Sequence, residues 1–247
     1  MVDRIFNLSV VGAALLLLAG CNRGPLTLED VIARNADATG GKSAIEAVQS
    51  LQMDLHIIDP GFEVDVVYRA SRPDNIRIDI TGDGKPILSE GANGERAWLA
   101  EGGGGAVEAS PIARAGMQHG VQLPGKIFGL HEMQHQGQKL ELTGRENVDG
   151  IDYYVVKLSL VDGYTTSLYI DPDTWLITRR RVETLQGAEQ TQTTTETRSS
   201  DFREINGVWF PFADLAVDLK TGKELERTTV KSLTVNPAID PSVFEKL

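Results

Sequence analysis

The sequence predicts a mainly β protein with a few helices (α+β), built on a curled antiparallel sheet of about ten or eleven strands. Three observations predict it. From Leu51 almost to the C-terminus, apolar and polar residues alternate with the period of a half-buried strand. Turn-forming dipeptides punctuate these runs: Asp83-Gly84, Asn93-Gly94, Asp149-Gly150, Asp162-Gly163, Asn206-Gly207 and Thr221-Gly222. Only about two or three segments carry a helical period, too few to cover the apolar face of so many strands. The sheet must therefore curl into a barrel, half-barrel or sandwich, and a curl of this size can leave an apolar cavity.

The elements follow in order. Arg4 and the amino terminus give a short positive end, and Leu8 to Ala19 run on without a charge. That run is shorter than the roughly 20 residues needed to span a bilayer. It ends in Leu18-Ala19-Gly20-Cys21, which resembles the bacterial lipobox, whose cysteine is lipidated and becomes the new N-terminus. Residues 1–20 are then a lipoprotein signal peptide, 21–25 a lipidated tether and 26–247 one domain. Cys21 is the single cysteine of the chain, so no internal disulfide is available in an oxidising compartment, and a thioether to lipid would remove the free thiol.

Thr27 opens a helix with Asp30 placed for a capping box and Leu28, Val31 and Ile32 on its apolar side. Gly40-Gly41 interrupts that helix, and residues 43–48 resume one. Strands then follow. Met53, Leu55 and Ile57 alternate with Asp54 and His56, and Val64, Val66 and Tyr68 with Glu63 and Asp65. Ile76, Ile78 and Ile80 alternate with Arg77 and Asp79. Residues 106–138 break the rhythm with Gly, Pro and His around an apolar stretch and admit short helices. Strands return at Lys139, and β-branching makes the Thr-rich run 190–198 a strand as well.

The net charge of −11 argues against nucleic acid or a polybasic membrane surface as a partner. No second apolar run of spanning length is present, so a water-soluble, monomeric body is expected.

Several stretches resemble the outer-membrane lipoprotein-sorting-like proteins, the LolA/LolB-like group. They are Ala38-Thr39-Gly40-Gly41-Lys42 leading into Leu51, Leu140 to Gly144 with Asp149-Gly150, and Leu168-Tyr169-Ile170-Asp171-Pro172. Asp201-Phe202-Arg203, Phe210-Pro211 and Val235-Asn236-Pro237 to Phe244 complete the set. The resemblance implies an open half-barrel closed by helices, around an apolar cavity for the acyl chains of lipids or lipoproteins. It implies a place in the cell envelope and a role in lipoprotein sorting or envelope maintenance. Cys21 matches the anchored members of the group rather than the diffusing carriers. Asn22, which is not the aspartate of inner-membrane retention, favours an outer-membrane protein facing the periplasm.

Candidate ligand residues are Ile127, Phe128, Leu130 and Met133, an apolar group in the irregular segment that would gate the cavity, together with Trp98 and Phe210. Arg179-Arg180-Arg181 alternate across a strand and read as a solvated edge, unless one of them turns inward to a lipid headgroup. Asp171-Pro172-Asp173 reads as a turn rather than a calcium loop.

The sharpest catalytic string is His131-Glu132-Met133-Gln134-His135, an H-E-x-x-H. On a helix its histidines would share a face and hold zinc while Glu132 activates water. Gly129 and Gly137 leave room for only about two turns, however, and neither Glu141 nor Glu146 is singled out as a third ligand. No Ser-His-Asp or reactive-cysteine arrangement is legible. A non-enzymatic binding protein without cofactor is therefore expected. A zinc hydrolase on His131, Glu132 and His135 is the alternative, and an envelope sensor or assembly factor binding protein partners is a third reading.

Overall fold

The computed structural model describes residues 25–94, 96–186 and 191–245. Cys21 and the leader lie outside the described residues. Helix α1 (Leu28–Thr39) starts at the expected capping box: Asp30 donates its backbone N–H to the Thr27 hydroxyl, and Thr27 donates its own to the Asp30 carboxylate at 2.9 Å. Val31 and Ile32 are buried, as the helical period requires. Gly40 ends the helix at φ 128°, and a Cβ there would sit 1.9 Å from the Gly207 carbonyl oxygen. A short second helix, α2 (Lys42–Glu46), leads into the sheet.

The first half of the sheet comprises β1 (Ser50–Asp59), β2 (Phe62–Ser71), β3 (Asn75–Gly82), β4 (Lys85–Asn93), β5 (Arg96–Glu101) and β6 (Val107–Glu108). Helix α3 (Pro111–Gln122) and an irregular stretch with a 3-10 turn at Leu130–Glu132 connect it to the second half. That half comprises β7 (Lys139–Val148), β8 (Ile151–Ser159), β9 (Thr165–Ile170), β10 (Ile177–Gln186), β11 (Thr191–Ile205), β12 (Val208–Asp218) and β13 (Glu224–Val235). All pairings are antiparallel. The two meanders join where β1 pairs with β13, Leu51 opposite Val235, giving the order β6-β5-β4-β3-β2-β1-β13-β12-β11-β10-β9-β8-β7.

Among the described residues thirteen strands form one sheet, more than the ten or eleven expected from alternation. Alternation undercounts strands without an apolar face. β6 is two exposed residues, and β4 sets Glu90 between Leu88 and Ala92 on its inner face. β6 and β7 do not pair with each other, so the sheet is open. It is nevertheless curled. Glu90 on β4 and Arg180 on β10 line one cavity although seven strand spacings separate them, which would be about 33 Å in a flat sheet.

Turn chemistry sets the hairpins. Asp83-Gly84, Asp149-Gly150 and Asn206-Gly207 all take positive φ at both positions, the geometry that two-residue hairpins need. The Asn236 side chain accepts from Gln49 and Ser50 N–H and donates to the Ala47 carbonyl, tying the end of β13 to the start of β1.

The main core lies on the inner face, where Leu51, Ile76, Leu158, Leu168, Ile170 and Phe210 meet α1, α3 and the irregular segment. A smaller cluster of Tyr153, Val155 and Tyr169 lies apart from it. Among the described residues, no helix is long and apolar enough to cross a membrane.

Candidate ligand-binding cavity

The connection between β6 and β7 builds the roof of the cavity. Arg72, at the end of β2, pins it. Its guanidinium donates to the Val48 and Ile127 carbonyls at 2.7 Å each and to both oxygens of Glu132 at 2.5 and 3.1 Å, and it lies over the Phe128 ring. Glu132 also accepts the Gly129 N–H at 2.8 Å. Burial alone would raise the Glu132 carboxyl, but the bonds from Arg72 and Gly129 outweigh it and hold the group below the usual carboxylate range. At the other end, the His119 ring bonds Asp162 at 2.7 Å and lies 4.2 Å from the Tyr164 ring, which clasps α3 to the β8–β9 turn.

Beneath this roof lie three adjoining spaces. The apolar one, about 370 Å³, is lined by Met53, Leu55, Val66, Ile78, Ile80 and Val230 below and by Gly120, Gly125 and Lys126 above. A second of about 170 Å³ extends toward α1 past Phe128, Leu130, Trp209 and Phe210. A third of about 320 Å³ opens between α3 and Tyr164. Lys126 and Arg180 line all three. The largest matches the roughly 300–1,000 Å³ of small-molecule sites.

Polar and charged side chains also line these spaces, among them Tyr68, Glu90, Lys126, Arg180, Asp214 and Glu226. Tyr68 donates its hydroxyl to the Gly120 carbonyl at 3.0 Å, and its burial raises the phenol well above the ordinary range. The Lys126 ammonium sits 4.4 Å from the Tyr68 ring centre. Burial, then the like charge of Arg180, push Lys126 down to about 8, against the smaller upward pull of Asp214 and Glu226. Burial raises the Glu90 carboxyl.

Three of the expected ligand residues, Phe128, Leu130 and Phe210, line the cavity. Ile127 and Met133 are fully buried in the core beside it and line none of these spaces. Trp98 is a correction. The register pairs it with Gly91 and so places it on the face of Arg77, opposite the cavity. Its indole N–H donates to the Phe244 carbonyl at 3.2 Å under the C-terminal 3-10 turn. Strand parity decides this, and bulk alone could not reveal it.

The H-E-x-x-H string does not lie on an α-helix. His131 and Glu132 end a 3-10 turn and His135 follows in exposed turns. His131 is buried with its Nε2 3.3 Å from Glu46, and Glu132 is bound by Arg72. Among the described residues, no group of three or more His, Cys, Asp or Glu is placed to hold a metal ion. Asp171 accepts from the backbone of Asp173 and Thr174, which makes Asp171-Pro172-Asp173 a turn.

The arginine triplet is not a solvated edge, because β10 lies between β9 and β11. Arg179 and Arg181 share one face, where both bond the fully buried Glu196 at 2.9 and 2.6 Å, and Arg198 adds a third bond at 2.7 Å. Arg180 points the other way, between Leu168 and Thr197, into the cavity. Its position was legible in the alternation of the strand. Lys126 was not, since Pro124-Gly125-Lys126 has no period to read.

No family model and no curated protein matches the chain. Solved structures do. A LolA superfamily protein from Nitrosomonas europaea superposes with a TM-score of 0.60 at 14% identity, covering 90% of this chain and 99% of that one. The fold is LolA-like. A DUF1329 family protein from Desulfovibrio piger superposes with a TM-score of 0.54 at 15% identity, over 87% of this chain and 97% of that one. The LolA-like likeness covers most of the chain.

Proposed function

We propose that this LolA-like chain is a lipid-anchored envelope protein that holds the acyl chain of a lipid or lipoprotein inside its curled sheet. The observation that carries the reading is the apolar space of about 370 Å³ between Met53, Leu55, Ile78, Ile80 and Val230 and the roof. Each methylene moved from water into such a space contributes about 0.8 kcal/mol, so a long chain binds without many polar contacts. The anchor at Cys21 and the single domain of residues 26–247 belong to the same proposal, as does a periplasm-facing position, outer membrane rather than inner. An anchored protein would receive or retain its ligand at the membrane and not shuttle it. Protein-only chemistry suffices for this role, with neither cofactor nor catalytic group.

The test is fluorescent fatty-acid displacement on the delipidated protein, with native mass spectrometry to count bound ligand. One palmitate-class ligand per chain is the expected result, and its loss on Ile78→Glu places it in the cavity. No binding by any acyl ligand ends the reading.

A further inference from the structure

We propose that Lys126 and Arg180 form an oxyanion site inside the cavity, so that the ligand is an acidic amphiphile whose phosphate or carboxylate headgroup these two cations hold together. The inference rests on the reading of the cavity as an acyl-chain site and adds the chemical class of the headgroup.

Arg180 is forced inward by strand parity, since its neighbours Arg179 and Arg181 face the opposite side to bind Glu196. Lys126 descends from the roof and also borders each of the three adjoining spaces. Among the described residues, neither cation has a carboxylate within 4.0 Å. Other arginines of the sheet are matched by carboxylates. Arg72 holds Glu132, Arg69 and Arg77 share Asp79, and the triplet's outer pair shares Glu196.

Asp214 and Glu226 line the same space and pull Lys126 upward, but among the described residues neither forms an ion pair with Lys126 or Arg180. Asp214 accepts the Ser199 hydroxyl at 2.6 Å, and Glu226 accepts that of Thr228 at 2.9 Å from an exposed position. Glu90, on the far wall, is driven toward its neutral form by burial. His119 is engaged by Asp162, and the Tyr164 phenol is raised by burial, so neither supplies a counter-charge. Two like charges facing an apolar space are costly to keep there, and an oxyanion between them would remove the cost through charge-assisted hydrogen bonds. Burial first, and then the charge of Arg180, push Lys126 down toward about 8, in line with that cost. A headgroup held at this point places its tail against Leu55, Ile78, Ile80 and Val230.

The test compares ligands with one tail and different heads on the purified, delipidated protein: hexadecyl phosphate, palmitate, hexadecanol and hexadecylamine, with inorganic phosphate as the free-anion arm. At neutral pH the phosphate and the carboxylate should bind about tenfold or more tightly than the alcohol, with the amine weakest. That advantage should shrink as the pH rises past about 8, where Lys126 loses its proton. Lys126→Met and Arg180→Met should each lower the preference for hexadecyl phosphate over hexadecanol about tenfold, and detectable hexadecanol binding in the variants shows the cavity intact. Equal affinity for alcohol and phosphate in the unsubstituted protein overturns the headgroup site and leaves the acyl cavity standing. Inorganic phosphate binding as tightly as hexadecyl phosphate overturns the amphiphile assignment. Failure of all four ligands to bind overturns both readings.

Discussion

The Glu196 carboxylate has no exposed surface and is bonded by Arg179, Arg181 and Arg198. Burial alone would raise its pKa, but the bonds from Arg198 and Arg181 and the charges of Arg181 and Arg179 reverse the direction and hold it low. A depressed carboxyl contributes stability that is present above the unfolded value of 4.5 and is lost as the pH falls through the folded one. Glu196→Gln removes the charge while keeping the shape and leaves three arginines facing one another. It should cost about 3–5 kcal/mol, read as a drop in the urea midpoint with an unchanged slope. The cost should vanish in strong acid, where the native carboxyl is itself protonated. The alternation of the triplet was visible in the sequence, but its partner lay on the next strand in a Thr-rich run. Only the register Arg181 opposite Glu196 brings them together.

Among elements, the connection from α3 to Met133 matters most, because it closes the cavity and carries Lys126. It lacks the regular hydrogen bonds of helix or sheet over much of its length, so side chains must fix it. Arg72 does so by binding the Val48 and Ile127 carbonyls and Glu132. Arg72→Met leaves the half-buried Glu132 without its partner and should destabilise by about 3 kcal/mol. Limited proteolysis should then cut first between residues 123 and 138, ahead of global unfolding. Uniform cleavage across the chain would show that the roof is held by other contacts. The sequence marked this segment as irregular and named Phe128 and Leu130 within it. It also offered H-E-x-x-H, a string that needs an α-helix. Local chain geometry gave a 3-10 turn instead, with Glu132 committed to Arg72.

At the scale of the molecule, the curl converts a long open sheet into a container. A ligand that binds only the folded state at a hundredfold its Kd should add about 2.7 kcal/mol. For a chain of this size that raises Tm by about 5 to 10 °C, measurable by differential scanning fluorimetry with palmitate. The pH profile carries a second signature. Lys126 titrates near 8 when folded against 10.5 when unfolded, so the unfolded chain binds more protons between those values. Stability of the empty protein should therefore rise as the pH climbs from about 8 toward 10.5, and Lys126→Met should flatten that rise. A rise that persists in the variant assigns it to another group.

The sequence by itself determined the antiparallel sheet, the hairpin turns and the capped first helix. Each depends on residues within a few positions of one another, through period, turn dihedrals and capping bonds. It also carried the resemblance that the LolA-like superposition bore out. The tertiary structure alone decided what depends on distant strands meeting across the curl. That includes the thirteen-strand count, the removal of Trp98 to the outer face and the pairing of Arg179 and Arg181 with Glu196. It also includes the meeting of Lys126 with Arg180 from opposite sides of one cavity. The physical reason is that a side chain's face follows from strand parity and register, and its electrostatic partner from where the curl brings a remote strand.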